Sequence, residues 1–256
     1  MTTLIKQGTL TATAVWAACL LGGTAQAQGL PGHGNVELLL AGQYRKSDGY
    51  PQVKGREWNE LYKDTATGLW AVGSSRPKVG RGRDECVGED VLIVQAMHEQ
   101  ALVLFTAIVG MMREPVTAVE EQPVFPHHPM AFELGGQHYE LVPQGQVADA
   151  EGQALAPAEV MGRPLDELEY TRITDYRLMM RMPDGQVHEL AAVEAMDAVI
   201  PTVLWAGDIN ADGLPDLLLD LRDSYESRHV VLYLSDAAHR EAPPRPAATR
   251  RVVNDC

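Results

Sequence analysis

The apolar runs of this chain are short, rich in Val, Leu, Ile and aromatic residues, and separated at modest intervals by turn residues. That texture constrains the fold more than any other feature. Runs of this kind specify strands rather than helices. Strands are expected over residues 36–41, 57–62, 69–72, 90–96, 101–108, 130–134 and 137–142. In the second half they are expected over 169–182, 186–190, 202–205, 216–221, 229–234 and 250–253. The stretch Met182-Pro-Asp-Gly-Gln186 supplies a tight reversal, because Asp-Gly accepts the backbone conformation a hairpin turn needs. The expected fold is mostly β, with antiparallel sheets in a sandwich- or barrel-like arrangement and few short helices. No unit of roughly 20 to 50 residues recurs, so a full propeller is not expected.

Two segments interrupt the strand pattern. Residues 148–164 are rich in Ala, Gly, Pro and acids and read as a loop or short exposed helix. Residues 242–248 include Pro243-Pro-Arg-Pro246 and read as an extended arm returning the C-terminus to the body. Residues 191–200 allow either a helix stopped by Pro201 or a strand continuing the preceding hairpin. A soft boundary near residue 155 divides a β-rich part, 28–155, from a second, 156–256, and the two are also compatible with one domain.

Residues 1–27 carry one basic residue, Lys6, no acid, an apolar stretch from Leu10 to Leu21, and Ala25-Gln-Ala27 just before Gln28. That is the order of a cleavable signal peptide, so the expected location is the periplasm or the cell exterior. A rival reading makes Cys19 a lipoprotein acceptor behind Trp16-Ala-Ala; it is opposed by Leu20-Leu21, which prolong the apolar run, and by Trp16 where Leu is usual. No stretch reaches the ~20 apolar residues of a transmembrane span.

The chain has 35 acidic and 21 basic residues, a formal charge of −14. Cleavage after Ala27 would remove one base, Lys6, and no acid, so the remainder would be more negative still. An acidic surface repels phosphate backbones and anionic lipid, which argues against nucleic-acid binding and suits cations and basic protein partners. Cleavage would also remove Cys19 and leave Cys86 and Cys256, and two cysteines in an oxidising compartment are expected to form a disulfide.

The most specific segment is Asp208-Ile-Asn-Ala-Asp-Gly-Leu-Pro-Asp216. Oxygen-bearing side chains fall at its first, third, fifth and ninth positions: Asp208, Asn210, Asp212 and Asp216. Alternate residues of a tightly curled loop converge on one point, where a hard cation such as Ca²⁺ finds its oxygens. Gly213 permits the sharp turn that lets the Leu214 carbonyl join them, and three carboxylates packed without a cation would repel one another. The expectation is a calcium site made by Asp208, Asn210, Asp212, Leu214 and Asp216. An EF-hand is excluded, because its twelfth loop position is Leu219 here rather than a bidentate Glu.

The stretch from Trp205 to Leu219 resembles the FG-GAP, or VCBS, calcium loop of integrin-type propeller repeats, whose core is Gly-Asp-x-Asn-x-Asp-Gly-x-x-Asp. The resemblance extends no further than Thr202 to Ser235 and implies the same ligands. It does not imply a propeller, since the chain has one copy. The chain beyond Ala27 also resembles a group of exported bacterial proteins through Gly49-Tyr-Pro-Gln-Val-Lys-Gly55, Asp84-Glu-Cys-Val-Gly-Glu89 and a terminal Cys, a likeness that imports no activity.

Catalytic motifs are missing where they would be expected. His98-Glu-Gln-Ala-Leu102 and His188-Glu-Leu-Ala-Ala192 begin like zinc-protease helices but lack the second His. There is no Gly-x-Ser-x-Gly elbow, and Gly80-Arg-Gly-Arg-Asp-Glu85 lacks the third glycine of a dinucleotide loop. His127-His128 read as a solvated loop, because adjacent side chains on extended backbone point apart. The pairs Met111-Met112 and Met179-Met180 read as core rather than copper ligands, and Tyr50, Trp58, Tyr62 and Trp70 as buried rather than sugar-stacking. The leading expectation is an exported, calcium-stabilised binding or structural protein. Its alternatives are an acidic inhibitor or immunity protein covering a basic secreted enzyme, and a hydrolase whose scattered carboxylates assemble in the fold. A deep pocket with paired acids would favour the hydrolase. A flat acidic face with an apolar centre would favour the inhibitor.

Overall fold

The structure, a computed structural model, describes residues 35–253 apart from 48, 114 and 117, so the expected signal segment, Cys19 and Cys256 lie outside the described residues. The fold is mostly β, with antiparallel, sandwich-like sheets, few short helices and no propeller.

One sheet organises the rest. It runs in the order Gln122–Pro123, Thr202–Gly207, Asp216–Asp220, Ser227–Leu234, Arg245–Val253, with Ala118–Val119 also paired to Thr202–Gly207. Successive side chains of a strand point to opposite faces, and here both faces are covered. Leu218, Val230, Leu232 and Leu234 enter one core, whereas Leu217, Leu219, Val231 and Tyr233 enter another. The unbroken Leu217-Leu-Leu219 run follows from this, because a strand covered on both sides has no polar face to alternate with.

The first core is closed by two smaller sheets. In one, Leu38–Leu39, Ala101–Phe105, Trp58–Lys63, Trp70–Ser75 and Pro115–Val116 lie side by side in that order. In the other, Asp90–Gln95 lies between Gly42–Arg45 and Lys78–Arg83. Leu39, Leu61, Leu104 and Phe105 are fully buried there. The Arg250 guanidinium sits 4.8 Å above the Tyr44 ring, a cation–π contact tying the C-terminal strand to this side.

The second core is closed by Met130–Leu134, Gln137–Ala148, Arg172–Arg181 and Val187–Asp197, with Ala154–Leu155 on Gln137–Ala148. Gln137–Ala148 and Arg172–Arg181, which flank residue 155 in sequence, pair with each other. Ile173, Tyr176, Leu178 and Met180 face inward. Their spacing slips once, between 173 and 176, where the register against Gln137–Ala148 shifts and Asp175 takes a φ of 52°. This is a bulge, and Asp is one of the few residues that tolerates the left-handed region.

The Val187–Asp197 segment is one long strand rather than a helix. The proline-rich arm merges into the Arg245–Val253 strand, where Pro246 is tolerated because that strand is an edge. Gly42–Arg45 and Lys78–Arg83 were not expected as strands. Among the described residues no helix is long and apolar enough to cross a membrane.

Candidate functional site

The Asp208–Asp216 loop joins two neighbouring strands of the central sheet, Thr202–Gly207 and Asp216–Asp220. Its carboxylates turn inward on their own backbone. Asp208 accepts from the N–H groups of Asp212, at 3.2 Å, and Gly213, at 2.8 Å. Asp212 accepts from Leu214 N–H at 2.8 Å, and the Ser235 hydroxyl lies 3.0 Å from each of its oxygens. Asn210 donates to Asp212 and to the Ser235 carbonyl. Asp216, fully buried, accepts from Ile209 N–H at 2.8 Å, Ser235 N–H at 2.7 Å and the Ser235 hydroxyl at 2.8 Å.

This arrangement corrects the calcium expectation. Among the described residues no group of three or more His, Cys, Asp or Glu side chains could hold a metal ion. The oxygens of Asp208, Asp212 and Asp216 face N–H and O–H donors, Asn210 spends its amide on Asp212 and Ser235, and Leu214 takes part as a donor to Asp212. Like-charge repulsion is relieved instead by these donors and by protonation. Dehydration pushes the Asp216 carboxyl up to about 7, against the pull of the Ser235 and Ile209 hydrogen bonds and with a further push from Asp212. Ser235 has a single hydroxyl proton, contacted by two carboxylates, so one contact becomes favourable only when a carboxyl supplies a proton of its own.

A second segment holds the loop from behind. Met112 N–H donates to the Ile209 carbonyl at 3.0 Å. Gly110, at φ of 78°, comes so close to Asn210 that a Cβ there would lie 2.4 Å from its carbonyl oxygen, which only glycine avoids.

The expected disulfide reaches beyond the described residues, and none joins two of them. Cys86 is itself disulfide-bonded, but it is the one cysteine among them, and Cys256 lies outside. The paired histidines do not act together: His128 bonds the Val160 carbonyl through its ring, while His127 sits at φ of 67°. Met180 is core; Met111 and Met112 pack against the first core half-buried.

Two buried acidic clusters escaped sequence reasoning. Glu60 accepts from Ser75, from the N–H groups of Met97 and His98, and pairs with His98 Nδ1 at 2.7 Å. Burial raises its carboxyl, but the Ser75, Met97 and His98 hydrogen bonds outweigh that and hold it below the ordinary carboxylate value. His98 in turn stacks on Tyr62 with centroids 3.7 Å apart, so the cluster fastens the 97–100 turn. Asp220, also buried, pairs with Arg222 and Arg228 and accepts from His229 N–H. The sequence Asp-Leu-Leu-Leu-Asp was the available signal: acids at both ends of a fully apolar strand must be buried with it.

An open cleft of about 690 Å³ lies beside the loop. One wall is the start of the Val187–Asp197 strand, with Gln186 and His188; the other is the segment carrying His239, Arg240, Glu241 and Arg245. A hydrogen bond from Tyr233 to the Leu190 carbonyl, 3.1 Å, pins the strand behind one wall to the central sheet. Arg240 donates to the Asp212 carbonyl at 3.1 Å and also lines a smaller cavity of about 370 Å³ that reaches Gly213 and Leu214. The loop thus borders the smaller cavity through Gly213 and Leu214 and is joined to the larger cleft through Arg240.

The fold and site define a β-sandwich-like protein with a cleft at one end of its central sheet. No family model matches the chain, and no curated protein or solved structure matches it. The likeness of the loop to the FG-GAP pattern therefore rests on its residues alone.

Proposed function

We propose that the chain is an exported binding protein that takes a small ligand into the cleft beside the Asp208–Asp216 loop. The observation that supports this is a cleft of about 690 Å³, within the size range of small-molecule sites, set against a loop stiffened by its own hydrogen bonds. Binding fits better than turnover. The lining holds no Ser, Thr or Cys nucleophile, and Glu241 is its single acid. Export is the expectation carried by the basic start, apolar run and Ala25-Gln-Ala27 exit of residues 1–27.

One experiment tests both parts. The protein is recovered from the exported fraction, its N-terminus read by mass spectrometry, and a fragment mixture titrated into the isotope-labelled protein by NMR. The expected outcome is a chain starting at Gln28, with saturable shifts confined to residues 186–188 and 237–245. A chain starting at Met1 would overturn export, and shifts scattered away from the cleft would overturn the binding site.

A further inference from the structure

The cleft has the opposite electrostatic character to the protein around it. Acids outnumber bases 35 to 21 along the chain, so an arginine here meets carboxylates more readily than in an average protein. Arg251, Arg177 and Arg181 behave accordingly, each pairing with an acid within hydrogen-bond distance. Arg240 and Arg245 belong with Arg81, Arg83 and Arg163, which make no ion pair among the described residues, and differ from those three in lining one cleft together. Arg240 is held at one nitrogen by the Asp212 carbonyl, which fixes its position and leaves its other N–H groups for a ligand.

A second observation concerns the same lining. His188 Nε2 is buried with no hydrogen-bond partner, on the wall facing the arginine segment. A buried polar atom without a partner costs about 1–3 kcal/mol, so a turn of the His188 ring that brings this nitrogen to a ligand atom in the cleft is favoured. His239, on the same lining and largely exposed, has its Nδ1 on Asp236 at 2.9 Å.

We infer that the cleft binds a small organic oxyanion, gripped by Arg240 and Arg245 and hydrogen-bonded by His188. The inference rests on the binding-cleft reading and names the ligand class for it. A planar guanidinium matches the spacing of carboxylate or phosphate oxygens, and two on one cleft select a ligand with separated anionic groups or one multiply charged group. Ala237, Ala238 and Pro243 supply the apolar remainder of the lining and fit a short carbon skeleton between the charged ends. The overall negative charge slows anion approach. The site therefore takes ligands abundant enough to be held weakly, with Kd on the order of 1 mM or tighter.

The test uses the full exported protein with three probes: succinate, inorganic phosphate and neutral succinamide. Each is titrated by NMR while the His188 ring and the backbone of 237–245 are followed. Succinate or phosphate should saturate the His188 shift, which of the two binds tighter separating carboxylate from phosphate. Arg245→Gln and Arg240→Gln should each weaken that binding about tenfold or more. Arg245 is exposed on an edge strand, so its variant keeps the fold. No response to either anion, with a cleft-localised response to succinamide, would overturn the oxyanion class and leave the cleft reading standing. No cleft response to any probe would overturn both. Anion binding unchanged in Arg245→Gln and Arg240→Gln would place the anion elsewhere and sink the inference.

Discussion

The Asp216–Asp220 strand has a buried aspartate at each end, and the two ends handle the burial in different ways. Asp220 is neutralised by cations: Arg222 and Arg228 pair with one of its oxygens, and His229 N–H reaches the other at 3.2 Å. Asp216 meets only uncharged donors, two backbone N–H groups and the Ser235 hydroxyl. Dehydration penalises a buried carboxylate in either place. A guanidinium offsets that penalty with opposite charge, whereas neutral donors offset less of it and the remainder appears as a raised proton affinity. One end of the strand is therefore built on an ion cluster, the other on a proton.

The charged end should break hardest. Replacing both Arg222 and Arg228 with Ala leaves the Asp220 carboxylate buried and uncompensated, a change that costs about 3–5 kcal/mol for a fully enclosed pair. Both arginines are about a third exposed, at 31% and 35%, so solvent screens part of the attraction. A loss of about 3 kcal/mol is expected in urea unfolding at pH 7, with each single variant losing less because the other arginine stays. A double variant within about 0.5 kcal/mol of wild type would show that the cations are ornamental.

The same contrast shows what a sequence can reveal. The strands Met130–Leu134, Arg172–Arg181 and Asp216–Asp220 were legible because apolar residues recur at the period of a strand or in a short closed run. Lys78–Arg83 was not: Lys-Val-Gly-Arg-Gly-Arg has one apolar residue, and the strand exists because Asp90–Gln95 supplies its partner. The Asp208–Asp216 loop was legible as a carboxylate-rich turn, but not in its chemistry. Whether three acids face a cation or their own N–H groups depends on where Ser235 falls, 19 residues beyond Asp216 in sequence. The cleft was invisible for a similar reason, since Arg240, Arg245 and His188 come from strands and turns that meet only in the fold.

A second test sharpens the comparison through pH. Asp216 ionises near 7 in the fold and near its ordinary value, 3.8, when unfolded. Between those values the folded state holds a proton that the unfolded state has lost. Stability from this group is thus present below the unfolded pKa and is lost as pH rises toward 7. Other groups slope the opposite way. Asp223 and Glu60 have lowered values, held down by Arg251 for Asp223 and by hydrogen bonds that outweigh burial for Glu60, and lose stability only in more acid solution. His229, lowered by burial, loses stability as pH falls below its ordinary value of 6.5. Comparing wild type with Asp216→Asn cancels these shared terms. From pH 5 to pH 8 wild type should lose about 2–3 kcal/mol more than the variant. Asn replaces one acceptor oxygen with an N–H donor among three donors, so the variant should be less stable at pH 5 by about 1–3 kcal/mol. Parallel pH profiles for the two proteins would mean that Asp216 is ionised throughout.

The smallest effect asks whether the two ends are independent. Ser235→Ala removes the hydroxyl that contacts both Asp212 and Asp216 and leaves the two backbone N–H bonds of Asp216 in place. A hydroxyl donated to a carboxylate is worth about 1.5–3 kcal/mol when the carboxylate is charged and about half that when neutral. The expected loss is therefore about 1–2 kcal/mol, larger at pH 8 than at pH 5. Four residue steps along an extended strand separate Asp216 from Asp220 by about 13 Å. No side chain in the Asp220 ion cluster bonds to Ser235. Changes at that separation with no shared partner add to within about 0.5 kcal/mol. Ser235→Ala combined with Arg228→Ala should thus cost the sum of the two single losses. A coupling well above that margin would show that the Leu217-Leu-Leu219 core transmits strain between the ends, and that proton and ion cluster form one device rather than two.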